Sequence, residues 1–369
     1  MKKMNYGVIG TGYFGKELAK IMNEVDGAQV TCVYDPYHGE EVAKELGCQV
    51  EEVLEYFVAR EDIDAVIVAS PNYLHKEHVM AALRHKKHIF CEKPIALTYQ
   101  DCDEMVETAK EIGVTFMAGH VMHFFNGVRK ARQLIEDGEI GDLLFAHSAR
   151  NGWEEPKETI SWKKIAAKSG GHLYHHIHEL DCIQLIMGEA KTVTMAGGNV
   201  AHQSNEFGDE DDMLLLTLEF GDDKYALVEY GSAFRWSEHY ILIQGTKGAI
   251  KLNMQETGVT LKNDEGVTKF LLHETKEEDE DRTNTYKEKA SDGAIIYGKP
   301  GTVVPLWLRS IMVREMEFFN KILRGEEVEQ GYDSLLSGEA AKASIRTADA
   351  AHVSLRENRK VSIDEIRAK

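Results

Sequence analysis

The chain has 369 residues, 43% of them hydrophobic and 28% charged, with a formal net charge of −19. That length suggests two domains with buried cores, and so acidic a balance argues against nucleic acid or an anionic membrane surface as partner. A local basic pocket can still hold a small anion.

Five cysteines (Cys32, Cys48, Cys91, Cys102 and Cys182) are odd in number, scattered, and include no C-x-x-C pair, so they read as reduced thiols. No apolar run reaches the roughly 18 residues that span a bilayer, and the run after Lys2-Lys3 is too short for a secretory leader. The expectation is a cytoplasmic protein.

Strand and helix signals alternate over the first 120 residues. YGVIG reads as a short buried strand, GKELAKIMNEV as a helix, QVTCVYD as a second strand, and GEEVAKELG as a helix stopped by glycine. DAVIVAS, HIFCEKP and VTFMAGH continue the strands, separated by the helical stretches KEHVMAALRHKK and YQDCDEMVETAKEIG. Repeated β-α-β order implies an α/β fold with a doubly wound parallel sheet over residues 1–122. Beyond 122 the pattern changes. NGVRKARQLIEDGEIG gives a helix and turn, DLLFAHSARNGW a strand, and SGGHLYHHIHELDCIQLIMG one helix. Seven strand candidates with short turns follow between TVTMAGGNV and VTKFLL, the signal of a mostly antiparallel sheet. The acidic run ETKEEDEDR reads as a solvated loop. Two long amphipathic helices, one beginning after Pro305, close a second domain of 123–369.

Gly10, Gly12 and Gly15 stand in G-x-G-x-x-G spacing, after a strand and at the start of a helix, with Tyr13 and Phe14 between the last two. Gly10 allows the tight turn, Gly12 lets backbone approach a pyrophosphate, and Gly15 lets helix and strand pack closely. Asp35 ends the second strand, where an acidic side chain accepts ribose hydroxyls and repels a 2′-phosphate, favouring NAD; its bland reading is a turn residue before Pro36. Ser70, Pro71 and Asn72 end one strand, and Glu92, Lys93 and Pro94 another, at the carboxyl edge where such sheets bind ligand.

GVIGTGYFG, VASPNYLHKEHVMAAL, CEKP, GEIGDLLFA, SGGHLYHHIHELD and SLRENRKVSI, in this order along nearly the whole chain, resemble the Gfo/Idh/MocA family of oxidoreductases. The resemblance implies a Rossmann domain followed by an α/β domain with an open, mostly antiparallel sheet that often serves oligomer contacts. A homodimer or homotetramer is therefore expected. It also implies hydride transfer to or from a secondary alcohol of a sugar or cyclitol, without metal. Lys93 is then the residue that contacts nicotinamide ribose and substrate hydroxyl, and His75 and Trp162 fall near the cofactor.

Many family members carry an aspartate four residues before the histidine of H-x-x-D. Here His178 and Asp181 fit that motif, but Tyr174 stands where the aspartate belongs. On one helix, Tyr174 and His178 share a face. An imidazole with a pKa of about 6.5 suits a base that takes the alcohol proton, so His178 is the expected base, Lys93 the polarising group and Tyr174 a relay. Asp181 would fix the imidazole tautomer. A packed Tyr174 ring with a satisfied hydroxyl is the alternative. His172, His175, His176, His120 and His123 can be read as substrate ligands, core residues or a divalent-metal set. No metal is expected. His120, His123 and His175 are expected at the substrate, with Arg150 and Trp153 from the strand end; Asn151 lies between them.

The leading expectation is an NAD-dependent sugar or polyol dehydrogenase, with oxidation at C3 of a hexoside preferred. An alternative is a redox glycosidase that oxidises its sugar transiently, eliminates, and reduces again. A non-catalytic NAD sensor is the third reading, disfavoured because it needs neither Lys93 nor His178.

Overall fold

A computed structural model describes residues 3–204, 206–289, 291 and 302–368. Two compact units result: Met1–His120 with Arg309–Lys342 and Ala368–Lys369, and Val121–Leu308 with Ala343–Arg367. The expectation that everything after residue 122 belongs to the second unit therefore fails for 309–342. Within the first unit, Phe319 packs with its ring 6.1 Å from Tyr6 and 5.9 Å from Phe90. The Tyr6 hydroxyl donates to Asn320 Oδ1 at 2.9 Å, and Asn320 Nδ2 donates to the Asp26 carbonyl at 2.9 Å. An amphipathic stripe shows that a helix buries one face, but not against which sheet.

The first unit holds six parallel strands: β1 (Met4–Ile9), β2 (Ala28–Tyr34), β3 (Gln49–Glu51), β4 (Ala65–Val68), β5 (His88–Glu92) and β6 (Phe116–Gly119). Their order is β3-β2-β1-β4-β5-β6, the doubly wound arrangement. All four residues of β4 are fully buried, as a parallel strand covered on both faces must be. The strand order reverses between β1 and β4, so the glycine turn after β1 and the Ser70-Pro71-Asn72 turn after β4 meet at the sheet's carboxyl edge.

The second unit is a nine-stranded sheet. Its strands are β7 (Leu143–Trp153), β8 (Thr192–Gly198), β9 (Met213–Glu219), β10 (Tyr225–Gly231), β11 (Ala233–Gly245), β12 (Gly248–Asn253), β13 (Gly258–Asn263), β14 (Gly266–Phe270) and β15 (Val361–Ser362). The order is β14-β13-β12-β11-β7-β10-β9-β8-β15, antiparallel except between β7 and β10. Leu214, Leu216 and Leu218 of β9 are buried while Leu215 and Thr217 face outward, the period-2 alternation of a sheet covered on one side.

The helix His178–Met187 packs on β7 and β10. Its cap, Ile177, supplies no side-chain acceptor to the first-turn N–H groups. The Tyr230 hydroxyl from β10 accepts the Leu180 N–H at 2.9 Å instead. That buried hydrogen bond contributes about 1 kcal/mol and ties the helix to the sheet.

Two expectations about local structure are corrected. The acidic run is a helix, Lys276–Lys289, with Glu278, Asp279 and Arg282 buried. Its charges serve the fold: the Asp279 carboxylate accepts the Leu272 and His273 N–H groups at 3.1 and 2.9 Å. The Arg282 guanidinium lies 4.0 Å from the Trp307 ring and gives its Nε–H to the Met254 carbonyl. The histidine-rich segment is not one helix but three, Ala166–Ser169, Gly171–His175 and His178–Met187, broken at Gly170 and again at His176–Ile177. Among the described residues no helix is long and apolar enough to cross a membrane.

Candidate active site

In the first unit, Gly10 has φ +85°, and a Cβ there would lie 2.5 Å from Ser70 backbone atoms. A Cβ on Gly15 would lie 2.0 Å from the Gly10 carbonyl. Both glycines are thus demanded by close packing. Gly12 differs, since a Cβ there would meet nothing within 4 Å. It precedes the helix Tyr13–Glu24, whose first turn has no capping side chain and no acidic residue. Bare backbone, uncapped N–H groups and a positive helix end fit a pyrophosphate. Tyr13 and Phe14 open that helix, half-buried.

Asp35 follows β2. Its Oδ2 accepts the Thr11 N–H at 2.7 Å, and its Oδ1 accepts those of Tyr37 and His38 at 2.8 and 2.9 Å. Burial alone would raise this carboxyl, but the three N–H donors hold it below the usual range. It is ionised at neutral pH beside the glycine turn, where it suits ribose hydroxyls and opposes a 2′-phosphate. These residues fit NAD.

Ser70 is buried, its Oγ 2.8 Å from His78 Nδ1; Pro71 is half-buried, and buried Asn72 opens the following turn. His75 is expected near the cofactor. It is fully buried, and its two ring nitrogens lie 2.7 Å from the Ser70 carbonyl and 2.8 Å from the Pro94 carbonyl. It ties the turn after β4 to the turn after β5. Lys93 leaves β5 half-buried, beside Glu92. Burial raises the Glu92 carboxyl against the pull of Lys93. Glu315, on the helix Leu306–Leu323, is buried and raised well above the usual range by burial and by the Glu92 charge. Two carboxyls so placed do not both ionise at neutral pH. Nothing in the sequence marked Glu315, because its proximity to Glu92 is purely tertiary. His120 is buried just after β6.

In the second unit a cavity of about 150 Å³ is lined by Arg150, Asn151, His172, His176, His239 and Tyr286, among others. Glu179 lies behind this wall with no exposed surface. Arg150 Nη1 and His239 Nε2 both reach Glu179 Oε1, at 3.2 and 2.8 Å. Burial pushes the Glu179 carboxyl up, yet Arg150 and His239 outweigh it and hold the group at about 2. On the far side of the imidazole, His239 Nδ1 shares a hydrogen bond with the Tyr286 hydroxyl. Of this cavity, the sequence places Arg150 at the substrate with Asn151 beside it, and leaves His172 and His176 open between substrate, core and metal. His239 and Tyr286 were unmarked, because they come from β11 and from the helix taken for a loop.

The histidines divide between roles. His172 and His176 face the cavity with rings 4.5 Å apart, while His175 packs edge-on to His176 at 4.8 Å. His178 is buried at the first position of its helix. Asp181, expected to fix His178, instead holds His123 Nε2 at 2.7 Å and accepts the Ser344 hydroxyl at 3.1 Å. His123, expected at the substrate, is thus the partner of a buried carboxylate. Tyr174 is buried, donates its hydroxyl to Asp349, and stacks on His352 at 5.7 Å. The helix break removes the shared face that paired it with His178, and the packed-ring alternative describes it. Trp153 lies between the Arg235 guanidinium, 3.5 Å from its ring, and the His202 ring at 4.7 Å. Trp162 opens a short turn of Trp162–Lys164, with the Lys163 ammonium 5.9 Å from its ring.

The family model described as "Oxidoreductase family, NAD-binding Rossmann fold" matches residues 4–120, and "Oxidoreductase family, C-terminal alpha/beta domain" matches 132–363. The chain belongs to the Gfo/Idh/MocA oxidoreductase family, with an NAD-binding Rossmann domain followed by the family's C-terminal α/β domain. A 2,7-anhydro-N-acetylneuraminate hydratase of Mediterraneibacter gnavus is 60% identical over 367 residues, covering 99% of this chain and 98% of the relative. A hydratase of the same name from Escherichia coli K12 is 56% identical, covering 98% of each chain. A levoglucosan dehydrogenase solved with NADH and levoglucosan shares the fold, with a TM-score of 0.79 at 21% identity, covering 98% of this chain and 99% of its own.

Gly12→Ala should fold with wild-type thermal stability and lose at least about 10-fold in NAD affinity by calorimetric titration, since its added Cβ meets nothing within 4 Å in the protein but stands at the helix end. A variant that binds NAD normally would contradict the assignment. Glu179 gives a pH signature. With its folded pKa at about 2 against roughly 4.3 unfolded, its charge contributes of the order of 3 kcal/mol above about pH 5, declining as pH falls toward 2. In denaturant unfolding, the stability gap between wild type and Glu179→Gln should therefore be constant from pH 7 to 5 and roughly halve by pH 3. A gap independent of pH would show that the charge is not what stabilises.

Proposed function

We propose that this enzyme adds water to 2,7-anhydro-N-acetylneuraminate, or a closely related anhydro sugar acid, by a redox-neutral cycle. The observation that carries the reading is full-length identity of 60% and 56% to two hydratases of that name, against 27% to a myo-inositol 2-dehydrogenase of Thermotoga maritima. This favours the transient-oxidation alternative over a simple dehydrogenase. The cavity supports it, because a guanidinium, an amide and three imidazoles offer many polar contacts to a polyhydroxylated acid.

The bridging C–O bond cannot be eliminated directly, because the C–H bonds on the neighbouring carbon are not acidic. Bound NAD supplies a hydride acceptor, and the hydride is later returned. While the sugar is a ketone, the C–H on the adjacent carbon is acidic, so elimination of the ether oxygen one carbon further becomes easy. Water adds to the resulting enone, and reduction restores the alcohol. In this scheme Lys93 orients the reacting hydroxyl, as the family resemblance implies, and His178 takes its proton, as its imidazole pKa suggests.

Purified enzyme with the anhydro sugar and substoichiometric NAD should form N-acetylneuraminate over many turnovers, with no net NADH, by chromatography and absorbance. NADH rising in step with a ketone product would make it a dehydrogenase instead. We further propose that the outward sheet face, where Leu215, Tyr225 and Leu227 are exposed, joins two copies. Leu227→Glu should shift the protein to monomer in sedimentation velocity; an unchanged oligomer, or a wild-type monomer, would refute this.

A further inference from the structure

We infer that Tyr286, His239 and Glu179 form a proton relay on the cavity wall, with Tyr286 the catalytic residue for the elimination and water-addition steps. The inference rests on the proposed function, since those steps exist only if the sugar is transiently a ketone.

The directions of the hydrogen bonds carry it. Glu179 is held at about 2 and is therefore a carboxylate, able only to accept. His239 Nε2, 2.8 Å from it, must carry the proton. Burial keeps His239 below its ordinary pKa, so the imidazole is neutral and Nδ1 is a bare lone pair. Tyr286 shares its hydrogen bond with that Nδ1 and so donates to it. The phenolic oxygen, on the cavity lining, is then set to accept a proton while passing its own to Nδ1. The imidazolium so formed lies against the Glu179 carboxylate, which stabilises it. A carboxylate, an imidazole and a hydroxyl in series are the arrangement that activates weak hydroxyl groups in enzymes. The three residues come from three separate elements, so no local turn or helix contact accounts for their alignment.

The step balances without another reagent. The C–H next to the ketone gives its proton to Tyr286 oxygen as the Tyr286 proton moves to His239. The C–H electron pair becomes the C=C bond, and the C–O bond breaks with its pair on oxygen. His239 returns its proton through Tyr286 to that oxygen. Water addition runs the same path in reverse, with water in place of the departed hydroxyl.

The test compares wild type, Tyr286→Phe and His239→Asn with the anhydro sugar and NAD in deuterated water. Tyr286→Phe, which keeps the ring, should lose roughly 100-fold or more in product formation. It should still form reduced nicotinamide in a rapid burst, and should no longer place solvent deuterium on the product carbon. His239→Asn should fail in the same direction. Product formation within about three-fold of wild type, or loss of the hydride burst in proportion to product, would overturn the relay. A wild-type enzyme that makes no product and no burst would instead overturn the proposed function, and the relay with it.

Discussion

One buried charge organises the second unit. Glu179 has no exposed surface, and an isolated carboxylate in such a place would neutralise or unfold its surroundings. It stays ionised because Arg150 from β7 and His239 from β11 converge on the same oxygen. That requirement fixes two side chains of the cavity wall, and through His239 it fixes a third, Tyr286. The helix bearing Glu179 is itself held to β10 by Tyr230, which takes the N–H that a capping residue would otherwise satisfy. Structural and chemical demands thus fall on the same few residues, and the cavity's proton-handling groups are preorganised by the cost of leaving Glu179 unpaired.

The first unit shows a simpler division of labour. Gly10 and Gly15 are there because backbone lies where their side chains would go, whereas Gly12 faces open space, which leaves its bare backbone approachable. Asp35 is kept ionised by three backbone N–H groups rather than by a cation, so its charge remains available at the strand end. His75 joins two carbonyls of the turns after β4 and β5, supporting the turn that carries Lys93 without needing to touch a ligand itself.

What the sequence revealed follows the range of the interactions. The parallel sheet apart from the three-residue β3, the strands from β7 to β14, the glycine turn and the place of Asp35 at a strand end were legible, since each depends on local periodicity and spacing. The helix Lys276–Lys289 was not, because its charges looked solvated and only tertiary contacts bury Asp279 and Arg282. The break at His176–Ile177 was hidden for the same reason that it matters. A run of helix-compatible residues gave no sign that His172 and His176 turn to the cavity while Tyr174 packs on His352. Glu179 lay inside the quoted histidine motif and drew no notice, while His239 and Tyr286 were distant in sequence. A relay assembled from three elements leaves no motif.

The central claim is that a hydride leaves the sugar and comes back. The most direct measurement uses an anhydro sugar carrying deuterium on the carbon to be oxidised, with a single turnover quenched at intervals. Deuterium should appear on the reduced nicotinamide early and on the product at the end. Product formed with no label ever on the cofactor would mean hydration without redox chemistry, and label remaining on the cofactor would mean an ordinary dehydrogenase; either would contradict the cycle.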